Sequence, residues 1–170
     1  MKMTSAIANK YIRQLNEDKE FLEGKEISSS FYEAAEGEQP VIPEYDFEEN
    51  NRAISELDSK IVKIKHAINV HNAESSVDVS GKMMTVDEIL ISMAQLNRRK
   101  SFFDGMRKAQ PKTRISSRGF GPKNTVPEYR YANYDIELAK AEFEKISREI
   151  MDMQLALDKF NQTDEFEVEM

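Results

Sequence analysis

Between Asn133 and Asn161, apolar residues recur with alternating spacings of three and four: Ile136, Ala139, Phe143, Ile146, Ile150, Met153, Leu157 and Phe160. This is the a/d pattern of a heptad, which sets one apolar stripe along a helix. Glu137, Lys140, Glu142, Glu144, Lys145, Arg148 and Glu149 fill the positions between and give a charged outer face, with Glu144 and Arg148 at the favourable i,i+4 spacing. A second stripe runs through Phe47, Ile54, Leu57, Ile61, Ile64 and Ile68, with Asn50 and His71 at the seam positions that break it. Asp46 is placed to cap this helix, with Glu49 three residues on. The stripes at 47–68 and 136–160 are expected to pack on each other, rod against rod, and to exclude water.

Thr85 and Glu88 spell a capping box ahead of a third helix, whose face is Val86, Ile89, Met93, Leu96 and Phe103, interrupted by Lys100. A fourth helix is predicted near the start, where Ile7, Ala8, Tyr11, Ile12, Leu15 and Leu22 keep helical spacing. The predicted helices span roughly 4–28, 46–72, 86–105 and 134–161. The long connections 29–45 and 107–133 exceed the usual loop length, which points to function, disorder or short strands. Val77–Val79 and Lys82–Met84 flank Ser80-Gly81 like a small hairpin, and Thr113–Ser116, Val126–Tyr131 and Phe166–Val168 alternate enough to pair. The predicted fold is therefore mainly α: an antiparallel helical bundle, or coiled-coil hairpins, of about four helices with short accessory β-strands, in a single domain over 1–170.

The order of these pieces resembles the septicolysin-like family of short bacterial helical proteins, most of them uncharacterised. Four stretches carry the resemblance: Met1-Lys2-Met3, Glu36-Gly37-Glu38-Gln39-Pro40, Ile68-Asn69-Val70-His71-Asn72 and Leu157-Asp158-Lys159-Phe160-Asn161. Gln162 stands where that family frequently has tryptophan. The family name implies a cytolysin. With no secretory signal, no cysteine and no apolar membrane-inserting segment in the sequence, that activity is not expected of this chain.

Composition narrows the picture further. The 170 residues are 32% charged and 39% apolar, a balance suited to amphipathic helices with solvated outer faces. The lack of cysteine removes disulfides, thiolate metal sites and thiol nucleophiles, and fits a reducing cytoplasm. No run reaches the roughly 18 apolar residues of a membrane span.

Chemistry-bearing motifs are few. His66 and His71 are the two histidines, and a five-residue step on a helix leaves them about 140° apart in azimuth, so they are not expected to share a metal. Gly119-Phe120-Gly121-Pro122 lacks the third glycine and following helix of a phosphate loop. Ser28-Ser29-Ser30 and Ser116-Ser117 read as polar connections. The methionines at 83, 84, 93, 106, 151 and 153 read as core filling before they read as an adaptable groove. No catalytic residue, cofactor, metal or small-molecule substrate is assigned.

One electrostatic feature stands apart. From Arg98 to Arg130 there are ten basic residues, Arg98, Arg99, Lys100, Arg107, Lys108, Lys112, Arg114, Arg118, Lys123 and Arg130, against Asp104 and Glu128, in a chain of net charge −7. Phe102, Phe103, Phe120 and Tyr129 are interleaved with them. Such a stretch suits either an acidic surface, on the same molecule or a second subunit, or a nucleic acid backbone. Glu33, Glu36, Glu38, Glu44, Glu48 and Glu49 offer the former, and an overall acidic protein repels polyanions outside the patch. A self-associating, non-enzymatic helical interaction or scaffold protein is thus the leading expectation and nucleic-acid binding the second. An enzyme built from carboxylates or from Tyr129, Tyr131 and Tyr134 is the third.

Overall fold

The computed structural model describes residues 1–115 and 127–169. Among them are four helices and six short strands: β1 (Lys2–Thr4), α1 (Ser5–Ser29), α2 (Phe47–Glu74), β2 (Ser76–Val79), β3 (Lys82–Thr85), α3 (Val86–Arg107), β4 (Lys112–Arg114), β5 (Tyr129–Tyr131), α4 (Ile136–Thr163) and β6 (Glu165–Glu167). The fold is mainly α, and the strands form three antiparallel or hairpin pairs: β1 with β6, β2 with β3, and β4 with β5. The chain forms two compact units, residues 1–77 with the chain from Leu157 onward, and Asp78–Ala156. The first joins the sequence neighbours α1 and α2 to both terminal strands.

The first unit is an antiparallel hairpin of α1 and α2. Lys19 Nζ reaches Asp58 Oδ1 at 2.7 Å, and Asn50 Nδ2 donates to the Leu22 carbonyl at 3.3 Å. Thr4 caps α1 by accepting from the Ile7 amide, and Asp46 caps α2 by accepting from the Glu49 amide at 2.9 Å. The core lies at one end of the hairpin, where Met3, Ala8, Ile12, Ile61, Ile64, Phe166 and Val168 meet, with Leu15, Ala67 and Ile68 packed against them. β1 and β6 close that end. Met3 pairs with Phe166, the Met1 ammonium donates to the Val168 carbonyl at 2.7 Å, and the Val168 amide donates back to the Met1 carbonyl at 2.9 Å.

The expected zipper of 47–68 against 136–160 is therefore corrected in its partner. Ile61, Ile64 and Ile68 close on α1 and the terminal strands. At the other end of the stripe Phe47 is 61% exposed. Asn50, the polar seam residue, is buried and hydrogen-bonded rather than wet.

In the second unit the β2–β3 hairpin turns through Ser80 and Gly81, at φ 51° and 88°. Two successive positive φ values make the tight turn whose twist suits a two-residue hairpin, and glycine takes the second position without strain. Asp78 Oδ1 accepts from the Gly81 amide at 2.7 Å. The Thr85–Glu88 capping box is complete in both directions, at 2.9 and 3.1 Å. Along α4 the heptad positions Ala139, Ile146 and Met153 are buried, with Phe143 and Ile150 partly so. Lys100, which interrupts the α3 stripe, lies over the Phe143 ring at 5.4 Å, and Arg107 covers the same ring at 4.1 Å. The last turns of α4 carry Leu157 and Phe160, both buried, into the first unit.

Ile64→Ala empties a fully buried site, and its expected destabilisation is about 2–5 kcal/mol. Phe47→Ala, at the exposed start of the same stripe, is expected to change stability by no more than about 0.5 kcal/mol. Urea denaturation of the two variants checks this, and equal losses would contradict the burial described. Thr85→Ala is expected to lose about 1 kcal/mol by removing one half of the capping box.

Candidate interaction surface

The basic stretch begins in the last turns of α3 and continues into the β4–β5 ribbon. Ribbon pairing sets Lys112 opposite Tyr131, Thr113 opposite Arg130 and Arg114 opposite Tyr129. Two further backbone bonds lengthen it, Ile115 amide to Glu128 carbonyl at 2.9 Å and Ala132 amide to Pro111 carbonyl at 3.0 Å. Directly opposed residues share a face of a two-stranded ribbon, so Lys112, Arg114, Tyr129 and Tyr131 form one face and Thr113 and Arg130 the other. All six are exposed, and Lys112 Nζ sits 4.1 Å from the Tyr129 ring centre and 5.5 Å from that of Tyr131. Tyr134 ties the outgoing strand down by donating its hydroxyl to the Met106 carbonyl at 2.9 Å. A cleft of about 460 Å³ beside the ribbon is lined by Thr113, Arg114, Arg130, Tyr131, Asn133 and Tyr134 among others.

The structure sorts the ten basic residues named from the sequence. Arg118, Lys123, Phe120, Gly119-Phe120-Gly121-Pro122 and Ser116-Ser117 lie outside the described residues. Arg107 and Lys108 both bind the Asp104 carboxylate at the end of α3. Hydrogen bonds from Lys108 and Arg107 hold Asp104 below the ordinary carboxylate value, against a smaller opposing effect of burial. Arg99 lies over the Phe103 ring at 4.8 Å, while Lys100 and Arg107 cover Phe143. On the ribbon itself, Lys112, Arg114 and Arg130 project from a strand pair that carries no acid in 112–114 or 129–131. Arg98, Arg99 and Lys108 are exposed on α3 and at its end, while the ribbon brings Lys112 and Arg114 together with two tyrosines on one exposed face.

A second surface, which spacing had not singled out, lies in the connection between α1 and α2. From Phe31 to Glu49 the chain carries seven acids, Glu33, Glu36, Glu38, Glu44, Asp46, Glu48 and Glu49, and no base. Gly37, at φ 89°, completes a turn closed by the Glu38 amide on the Ala35 carbonyl at 3.1 Å. Beyond it the chain has no regular secondary structure until α2. Apolar side chains nonetheless point outward: Phe31 is 85% exposed, Val41 91% and Ile42 64%. Tyr45 is half-buried, and burial followed by the charges of Glu26 and Asp46 pushes its phenol up. The sequence signal was present in Pro40-Val41-Ile42-Pro43, apolar residues bracketed by helix breakers and acids.

The other sequence candidates divide between packed and exposed positions. His66 is exposed, and His71 is stacked between Phe160 and Phe166, with ring centres 5.0 and 4.6 Å away. Ser75 Oγ lies 3.2 Å from His71 Nδ1, and Asp164 Oδ2 is 3.3 Å from Nε2 without hydrogen-bond alignment. Ser75 is the C-cap of α2 and Asp164 follows α4, so this Ser-His-carboxylate row joins the ends of the two helices. Met84 and Met153 are buried, whereas Met83 and Met151 are exposed. No group of three or more His, Asp or Glu side chains among the described residues is placed to hold a metal. Nor is any helix of the described residues long and apolar enough to cross a membrane.

Because the folded carboxyl of Asp104 is lowered, the stability it contributes is present above the ordinary carboxylate value of 3.8 and is lost as pH falls through its lowered value. Asp104→Asn is accordingly expected to unfold at lower temperature than the parent at pH 7, with the gap closing as pH falls below 3.8 and through the lowered value. Thermal melts followed by circular dichroism across that range check the sign.

No family model matches the chain, and no curated protein matches it in sequence. Among solved structures it is similar to the crystal structure of a functionally unknown conserved protein from Corynebacterium diphtheriae, at a TM-score of 0.66 and 16% identity, over 98% of this chain and 100% of that one. The likeness is one of fold.

Proposed function

We propose that the protein is a non-enzymatic helical interaction protein that associates with copies of itself. The observation that carries this reading is the run of outward apolar side chains at Phe31, Val41 and Ile42 inside a wholly acidic stretch. Scattered surface apolar residues need no explanation, but Val41 and Ile42 are adjacent, both exposed, and bracketed by prolines and carboxylates, which suits a docking surface. The basic ribbon supplies a surface of opposite sign on the same chain, and charge complementarity selects partner and orientation. The absence of cysteine supports a reducing, cytoplasmic setting. We also propose kinship with the septicolysin-like proteins, on the four stretches that carry the resemblance.

A second reading is nucleic-acid binding. It is favoured by Tyr129 and Tyr131 lying exposed beside Lys112 and Arg114 on one ribbon face, a combination suited to stacking bases and neutralising phosphates. Arg114→Glu with Arg118→Glu is expected to abolish binding to a labelled oligonucleotide with the helical signal intact, and no binding by the parent at low salt removes this reading.

Light scattering at two salt concentrations tests the leading reading. The expected mass exceeds that of one chain at low salt and falls as salt screens the contact. A single-chain mass under both conditions removes self-association.

A further inference from the structure

We propose that the segment Glu38–Glu44 of one copy docks on the Lys112, Arg114, Tyr129 and Tyr131 face of the β4–β5 ribbon of a second copy. The inference rests on the self-association reading and names its two halves. The segment reads Glu-Gln-Pro-Val-Ile-Pro-Glu, an apolar centre bracketed by carboxylates. The ribbon face reads Lys and Arg on one strand and two tyrosines on the other. Each half is exposed, and each offers what the other lacks in both charge and apolar contact.

Backbone physics favours the segment as the inserted half. Pro40 and Pro43 fix their own φ and drive the preceding Gln39 and Ile42 into extended conformations. An extended proline-flanked strip loses little conformational entropy on docking, which is why aromatic-lined surfaces recognise such strips. Val41 at 91% exposed gains most from cover. Glu38 and Glu44 then flank the tyrosines where Lys112 and Arg114 project.

The same ribbon face is less suited to nucleic acid than its composition implies. Stacking a base needs a free ring face, and Lys112 already occupies a position 4.1 Å from the Tyr129 centre and 5.5 Å from that of Tyr131. A short acidic strip needs no free ring face: its two carboxylates reach Lys112 and Arg114, and Val41 and Ile42 pack along the tyrosine edges and the Lys112 stem.

Two full-length variants test the contact. One carries Glu38→Lys with Glu44→Lys, the other Lys112→Glu with Arg114→Glu. All four positions are exposed, and far-UV circular dichroism verifies that each variant folds. In sedimentation velocity at low salt, each variant alone is expected to self-associate at least about tenfold more weakly than the parent. An equimolar mixture of the two is expected to associate as the parent does, because each altered surface then meets a complementary one. A single chain carrying all four changes is expected to regain self-association. If both variants assemble like the parent, the ribbon contact is wrong and self-association uses another surface. If the parent is monomeric throughout, both readings fall together. If the ribbon variant loses binding to labelled oligothymidine while its assembly is unchanged, the ribbon serves nucleic acid and the inference is overturned.

Discussion

The pairing of β1 with β6 beneath the α1–α2 hairpin is the interaction on which the first unit depends. Helices of this length carry a stripe on one side only, and a two-helix hairpin leaves the end of that stripe open to water. The terminal strands cover it. Met3 and Val168, each 1% exposed, sit under Ala8, Ile12, Ile61 and Ile64, so the first and last turns of chain complete a core the helices cannot close alone. A strand pair of three residues has little stability in isolation. It persists here because Met3 and Phe166, opposite one another in the register, are both buried against the helices.

Concentrating burial at one end of the hairpin has a consequence at the other. Farther along, Lys19–Asp58 and the Asn50–Leu22 bond join the helices where Leu22, Ala53, Ile54 and Leu57 are only partly buried. Polar contacts tolerate water, so nothing in the first unit compels Phe31, Val41, Ile42 or Phe47 to turn inward. The acidic stretch keeps the connection solvated while its apolar residues stay outside. The second unit does the reverse with its cations. Arg107 and Lys100 lie over Phe143, Arg99 over Phe103, and Arg107 and Lys108 on Asp104, while the ribbon sets its exposed cations beside tyrosines and no acid of its own strands.

Much of the fold was legible in the sequence, and the reasons are local. The three-four spacing from Ala139 to Phe160 marks the α4 residues that are buried or partly buried, since periodicity depends only on the helix carrying it. The Thr85–Glu88 box and the Ser80-Gly81 turn are likewise encoded within four residues. Partner choice is not. A stripe states which side chains leave water without stating what covers them, so Ile61 and Ile64 were matched to α4 when α1 and the terminal strands enclose them. β1 was missed because Lys2–Thr4 has no pattern of its own and pairs with residues at the opposite end of the chain. The surface was legible in part: the basic run announced the ribbon, while the division of its cations among Phe143, Phe103 and Asp104 depends on tertiary proximity that spacing does not encode.

Placing complementary surfaces at two different positions on one chain carries a geometric consequence for any assembly built from them. A contact between unlike patches closes as a two-fold dimer when each copy's patch reaches the other's complement, and otherwise propagates until rotation closes it into a ring. The acidic strip and the basic ribbon are unlike patches, so both endpoints are open to an assembly built on the proposed contact. Electrostatics would favour the smaller endpoint. Each copy brings a net charge of −7, so like charge would accumulate with every copy added beyond the first contact, while the contact itself would be strongest at low salt. A closed assembly of few chains is therefore the form that the proposed contact would favour, because it satisfies both patches with the least accumulated charge.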